Sequence, residues 1–145
     1  MTKVEQALSM FKEGFVCSQA LLAAYGEQFG MKRETALRVS AAFGGGVCHM
    51  GETCGVVTGA LMVIGLKYGN VKAKDKKTRE KTYELAREFV RGFEDRNGTT
   101  NCKRLLDCDI STPEGLSAAR EKNLFQTVCP KYVRDAVEIV EQILK

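Results

Sequence analysis

Six cysteines and a single histidine are set into a chain of 145 residues, and four of those cysteines stand where helices are expected to begin. Cys17 leads into Ser18-Gln19-Ala20-Leu21 after a break at Gly14, Cys54 follows Thr53, Cys102 follows Asn101, and Cys129 precedes Pro130. Capping residues and a first-turn proline are the usual marks of a helix start. Unpaired backbone N–H groups and the helix dipole favour negative charge there, so each position lowers the cost of a thiolate. A dipole contribution of about 0.3–1 kcal/mol moves a thiol pKa by less than one unit, from about 8.5 to roughly 7.8. A useful nucleophile therefore needs additional N–H donors or a neighbouring cation.

The stretch 44–59, GGGVCHMGETCGVVTG, contains six glycines, Cys48, Cys54 and His49. Each glycine adds a conformational entropy cost that an ordinary connection avoids, and close backbone approach is one reason to accept it. Cys54, at the junction of this loop with a helix and directly before Gly55, combines the most activating features and is the favoured nucleophile. His49 is the nearby candidate cation, although a lone histidine is more often a hydrogen-bonded structural group. Cys48 becomes a resolving thiol if Gly51 turns the chain back; on a continuous helix it would face away from Cys54. Cys108 lies between Asp107 and Asp109, whose charges oppose ionisation, and is expected to be a bystander.

Several familiar motifs fail. Residues 46–53, GVCHMGET, approach a phosphate loop but place Glu52 where a lysine is required. No dinucleotide fingerprint is present. No C-x-x-C pair exists for thioredoxin-like or haem-attachment chemistry. Cys17, Cys54, Cys102 and Cys129 would be the ligands if the chain held zinc or an iron–sulfur cluster. Their dispersal departs from the paired spacing of such sites, and no cofactor is assigned.

The elements that must position these residues read as helices throughout. Apolar residues recur at helical spacing in Val4, Leu8 and Phe11, in Leu85, Phe89 and Phe93, and in Val133, Val137, Val140 and Leu144. The pattern predicts a single all-α domain over 1–145, a bundle of about six to eight helices with the glycine-rich loop before its central helix. Helices are expected near 2–13, 17–29, 33–43, 54–68, 74–96, 102–107, 113–122 and 130–144. The pairs Gly55/Gly59 and Gly65/Gly69 on the central helix leave strips for close helix packing. The last helix carries a broad apolar stripe to be covered on two sides, with a second copy in a homodimer as one candidate cover.

The composition is 44% hydrophobic and 28% charged, with a net charge of +4, that of a folded soluble domain. Residues 72–81, KAKDKKTREK, hold six basic and two acidic residues and supply the whole excess. Without interleaved aromatics they read as a solvated helix start rather than a nucleic-acid surface. The run 55–66 would span about 18 Å as a helix, short of a hydrocarbon core of about 30 Å, so no membrane insertion is expected. The opening MTKVEQALSMFKEG lacks the apolar core of a secretory signal, and the expectation is a cytoplasmic protein with reduced thiols.

The segments carrying these residues resemble the C-GCAxxG-C-C family, small proteins with four characteristic cysteines. Cys17-Ser18-Gln19-Ala20 is similar to its first cysteine segment, Phe43-Gly44-Gly45-Gly46 to its glycine loop, and Cys54-Gly55-Val56-Val57-Thr58-Gly59 to its C-G-A-x-x-G core, with Val56 in place of alanine. Asn101-Cys102-Lys103-Arg104 and Cys129-Pro130-Lys131-Tyr132 resemble the third and last segments. Cys48 and Cys108 lie outside the signature. The resemblance implies a small cytoplasmic redox-active protein associated with transporter genes, and therefore an unknown redox partner or a transporter-associated protein as its contact. It specifies no reaction, so enzyme status stays open.

Three functions follow as expectations. One is thiol/disulfide chemistry with Cys54 attacking and Cys17, Cys102 or Cys129 resolving. The second is a Cys-ligated metal or iron–sulfur module. The third is a non-catalytic helical interaction domain with inert cysteines.

Overall fold

A computed structural model describes all 145 residues as helices and tight turns. The order is α1 (Lys3–Glu13), α2 (Cys17–Gly26), α3 (Arg33–Ser40), α4 (Gly55–Tyr68), α5 (Lys76–Asn97), α6 (Cys102–Leu106), α7 (Pro113–Glu121), α8 (Leu124–Thr127) and α9 (Cys129–Ile143). Two segments expected to continue as α-helix tighten instead into 3-10 turns, at Glu27–Phe29 and Ala41–Phe43. Helix α8 was not expected. It fits between Asn123, which adopts a left-handed conformation (φ 54°), and the Pro130 that starts α9.

Local chemistry sets most boundaries. Thr2 and Glu5 cap α1 reciprocally, and Asp75 caps α5 by accepting from the Thr78 amide at 3.1 Å. The basic stretch 72–81 thus becomes the turn before α5 and its first turns. Gly14 (φ 115°) and Gly98 (φ 83°) close α1 and α5 in the left-handed conformation that glycine adopts without a Cβ penalty.

Helix α4 is apolar all round and central. Val56, Val57, Ala60, Val63 and Ile64 are buried, and α2, α5 and α9 pack against it. The pairing with α2 is the most extensive, because Gly55 and Gly59 give α4 a flat face. A Cβ on Gly59 would lie 2.8 Å from the Leu21 Cβ and 3.0 Å from the Ser18 carbonyl oxygen. Gly65 and Gly69 do not repeat this arrangement. A Cβ on Gly65 meets nothing, and Gly69 ends the helix by donating to the Gly65 carbonyl at 2.8 Å. The hydroxyls buried beside the α2–α4 seam are satisfied: Ser18 donates to the Ser40 carbonyl at 2.8 Å and Ser40 to the Ala36 carbonyl at 2.6 Å.

The broad stripe of α9 is covered within the chain. Val133, Ala136, Val137, Ile139, Val140 and Ile143 are buried against α1, α2, α4 and α5. A second, smaller core joins Cys102, Leu106, Ile110 and Ala119 with Leu124, Phe125 and Val128, so residues 102–128 fold as a flap around their own apolar cluster. Helix α7 packs chiefly on α8 within that flap.

The loop before α4 is the most constrained segment. Gly45, Gly46, Val47, Cys48 and His49 have consecutive positive φ angles of 66°, 67°, 68°, 42° and 63°. This left-handed turn is natural for the two glycines, but for each of the other three it costs roughly 1–2 kcal/mol. It is held by backbone bonds from Cys48 N–H to the Ala42 carbonyl and from Glu52 N–H to the Gly46 carbonyl, both 2.8 Å.

Two stability changes are expected in urea unfolding. Gly59→Ala should lower stability by about 1–2 kcal/mol, because forced overpacking outweighs the better helix propensity of alanine. Cys48→Gly, at an exposed left-handed position, should raise stability by about 0.5–1 kcal/mol, since the strain removed exceeds the entropy cost of glycine.

Candidate functional site

The glycine loop and the residues after it bring two cysteines into register. Thr53 and Asn101 form an isolated antiparallel bridge. On either side, Cys54 N–H donates to the Thr100 carbonyl at 2.8 Å and Cys102 N–H to the Glu52 carbonyl at 2.6 Å. Side chains alternate across such a pair, so Cys54 and Cys102 emerge on the face opposite Thr53 and Asn101. This bridge replaces the purely helical reading of the region. Gly46 is needed for it, because a Cβ there would lie 2.6 Å from the Cys102 Cβ and 2.5 Å from the Glu52 nitrogen.

Cys17 and Cys129 arrive from the first residues of α2 and α9. All four cysteines line one cavity of about 650 Å³. Its other walls are largely apolar, with Leu8, Phe11, Phe15 and Val16 on one side and Phe125 and Tyr132 among the remainder. His49 also lines it, its ring stacked on Phe125 with centroids 6.2 Å apart. Cys48 is exposed and does not line the cavity, so the turn carries it away from Cys54. Cys108 donates to the Gly115 carbonyl at 3.2 Å within the flap. All six cysteines are free thiols.

The four thiols are not equivalent. Cys17 is brought below the usual thiol value, to about 7, first because the Cys54 side chain donates a hydrogen bond to its sulfur. The backbone N–H groups of Gly45, Ser18 and Gly55 act in the same direction, and with the Cys54 bond they outweigh the effect of burial. The sulfur therefore sits between the starts of two helices and the glycine loop, which explains the glycines around it. A Cβ on Gly55 would collide with the Cys17 sulfur and lie 3.0 Å from both the Phe43 oxygen and the Ser18 nitrogen.

Cys54 is pushed well above the ordinary thiol value, mainly by donating to Cys17, and further by burial and by the charge on Cys17. Cys102 and Cys129 are both pushed up to about 12 by burial and then by the Cys17 charge. The helix-start rule thus describes Cys17; it is overridden at Cys54 first by the hydrogen bond to Cys17 and at Cys102 and Cys129 by burial. No three of the chain's His, Cys, Asp and Glu side chains are grouped as ligands of one metal ion, so the signature cysteines share a cavity without forming a ready cage.

Composition and spacing gave no sign of Phe125, Tyr132, Lys12 or Arg120 as cavity residues. Lys12 comes from α1 and the other three from the consecutive helices α7, α8 and α9. Tyr132 is the nearest to a legible case, being three residues after Cys129, and its hydroxyl donates to the Leu105 carbonyl at 2.8 Å.

An all-helical domain that gathers four cysteines from separate helix starts onto one cavity defines a class of cysteine-signature proteins. The chain matches the family described as "Putative redox-active protein (C_GCAxxG_C_C)" over residues 15–143 and belongs to it. No curated protein and no solved structure matches the chain. No helix is long and apolar enough to cross a membrane.

The asymmetry of the thiols is directly measurable. With exposed Cys48 replaced by serine, the rate of Cys17 alkylation by iodoacetamide should rise with pH through a midpoint near 7. The hydrogen bond from Cys54 stabilises the charged form, so Cys54→Ala should move that midpoint upward. A midpoint at the ordinary thiol value of about 8.5 in both proteins would contradict the assignment.

Proposed function

We propose that the protein carries out thiol–disulfide exchange, with Cys17 as the attacking thiolate and Cys54 as the resolving thiol. The observation that supports this reading best is the pair itself: a thiol whose pKa is brought to about 7 by the neighbouring thiol and three backbone amides, on the wall of a cavity. An attacking thiol is most effective when its pKa lies near the ambient pH, where a large thiolate fraction coexists with good nucleophilicity. Relative to the sequence-based expectation, Cys54 and Cys17 exchange roles.

In the proposed cycle the Cys17 thiolate attacks one sulfur of a substrate disulfide. A Cys17–substrate bond forms, the substrate S–S bond breaks, and the first substrate thiolate leaves and takes up a proton. Two of the influences that keep Cys54 protonated, its hydrogen bond to Cys17 and the Cys17 charge, vanish once Cys17 is in the mixed disulfide. Cys54 then loses its proton more readily, helped by the Val56 amide, and attacks the Cys17 sulfur. A Cys17–Cys54 disulfide forms and the second substrate thiolate departs. The substrate disulfide is reduced to two thiols and the protein dithiol is oxidised. An external dithiol reductant restores the protein by the same exchange in reverse. Cys102 and Cys129 remain protonated throughout.

The test uses Ellman's reagent at less than one equivalent on the reduced protein with Cys48 replaced by serine. Two thionitrobenzoate ions should be released per reagent, and peptide mapping should find a Cys17–Cys54 disulfide. Cys54→Ala should stop after one ion with the reagent attached to Cys17, and Cys17→Ala should lose the fast phase. A fast phase of unchanged size in Cys17→Ala would refute the assignment.

A further inference from the structure

The cavity beside Cys17 has a charge pattern that the cysteine chemistry leaves unused. No aspartate or glutamate lines it, whereas Lys12 from α1 and Arg120 from α7 do. Both are exposed, and neither side chain forms an ion pair or hydrogen bond, although six ion pairs form elsewhere in the chain. The rings of Phe11, Phe15 and Phe125 line the same cavity. At about 650 Å³ the space falls within the range of small-molecule sites, roughly 300–1,000 Å³. Sites of that kind combine apolar walls with a few polar groups that fix orientation.

We infer that this cavity binds a small organic anion with an apolar body, the anionic head paired with Lys12 and Arg120 and the body packed among Phe11, Phe15 and Phe125. This rests on the thiol–disulfide reading only in making such a molecule the substrate class; the binding itself requires no reactive thiol. A flat protein surface offers a poor counterpart, because the Cys17 sulfur is reached inside a concave, aromatic-lined space. The cations also oppose the accumulation of negative charge when an anionic ligand enters a cavity that already holds a thiolate. Their place on separate helices, one in the main bundle and one in the flap, lets a bound anion join those two parts.

The probe is 1-anilinonaphthalene-8-sulfonate, an apolar two-part ring system with one fixed negative charge, compared with N-phenyl-1-naphthylamine, which lacks the sulfonate. Binding is followed by dye fluorescence on the full reduced chain. One sulfonated dye should bind per chain, about tenfold more tightly than the neutral dye, the preference that two exposed cations provide. Decanoate should displace it, and the dye should slow Cys17 alkylation by iodoacetamide. Lys12→Gln with Arg120→Gln should erase the tenfold preference while leaving neutral-dye binding unchanged, and Phe125→Ala should weaken both dyes.

Equal affinity for the two dyes, or a preference that survives the double substitution, would overturn the inference. Cys17→Ala separates the two ideas. Dye preference should persist there although the fast Ellman reaction is lost, so failure of either measurement leaves the other to stand by itself.

Discussion

The close contact between the start of α2 and the start of α4 is the constraint on which the site depends. Gly55 and Gly59 let two helices approach until the Cys17 sulfur and the Ser18 and Leu21 backbone and side chains occupy the space that Cβ atoms would fill. That approach places the first amide of α4 beside a sulfur at the first position of α2. Two sets of unpaired helix-start N–H groups then converge on one atom, and the glycine loop adds a third donor in Gly45. The same seam is the main packing surface of the bundle, so the stability of the fold and the ionisation of Cys17 have a common origin.

Mutual electrostatics limits the cavity to one thiolate. The charge on Cys17 is among the causes that keep Cys54, Cys102 and Cys129 protonated. Burial alone would discourage all four from ionising; the amides and the Cys54 donor select which one does. Differences among chemically identical groups arise here from burial and from the four hydrogen bonds that converge on one sulfur, without a nearby lysine or arginine as their leading cause. His49, one candidate cation in the sequence, lines the cavity with its ring stacked on Phe125.

Much of the helical architecture was legible because apolar periodicity and caps report directly on local structure. Thr2, Asp75, Asn101 and Thr112 each cap the helix they precede, and all four signature cysteines do stand at helix starts. Tertiary effects were not legible in the same way. The ranking of the thiols depends on the Cys54 donor, on burial and on the amides of Gly45 and Gly55, none of which is encoded near Cys17 in sequence. The left-handed run 45–49 was hidden because Val47, Cys48 and His49 rarely adopt it, so no propensity rule announces it. Gly65 and Gly69 showed the converse failure: they have the spacing of a packing strip, but no helix approaches Gly65.

The flap spanning 102–128 has an apolar cluster separate from the main core, and its two ends enter the bundle through Cys102 and Cys129. A segment stabilised by its own small nucleus can detach while the large core stays intact, as a subglobal unit with a lower opening free energy than the whole domain. Amide protons in α7 and α8 are accordingly expected to exchange with solvent through such partial openings, and those of α4 and α9 only when the entire bundle comes apart. On that basis the cavity wall carrying Phe125, which packs on the smaller cluster, is expected to open before the main core does.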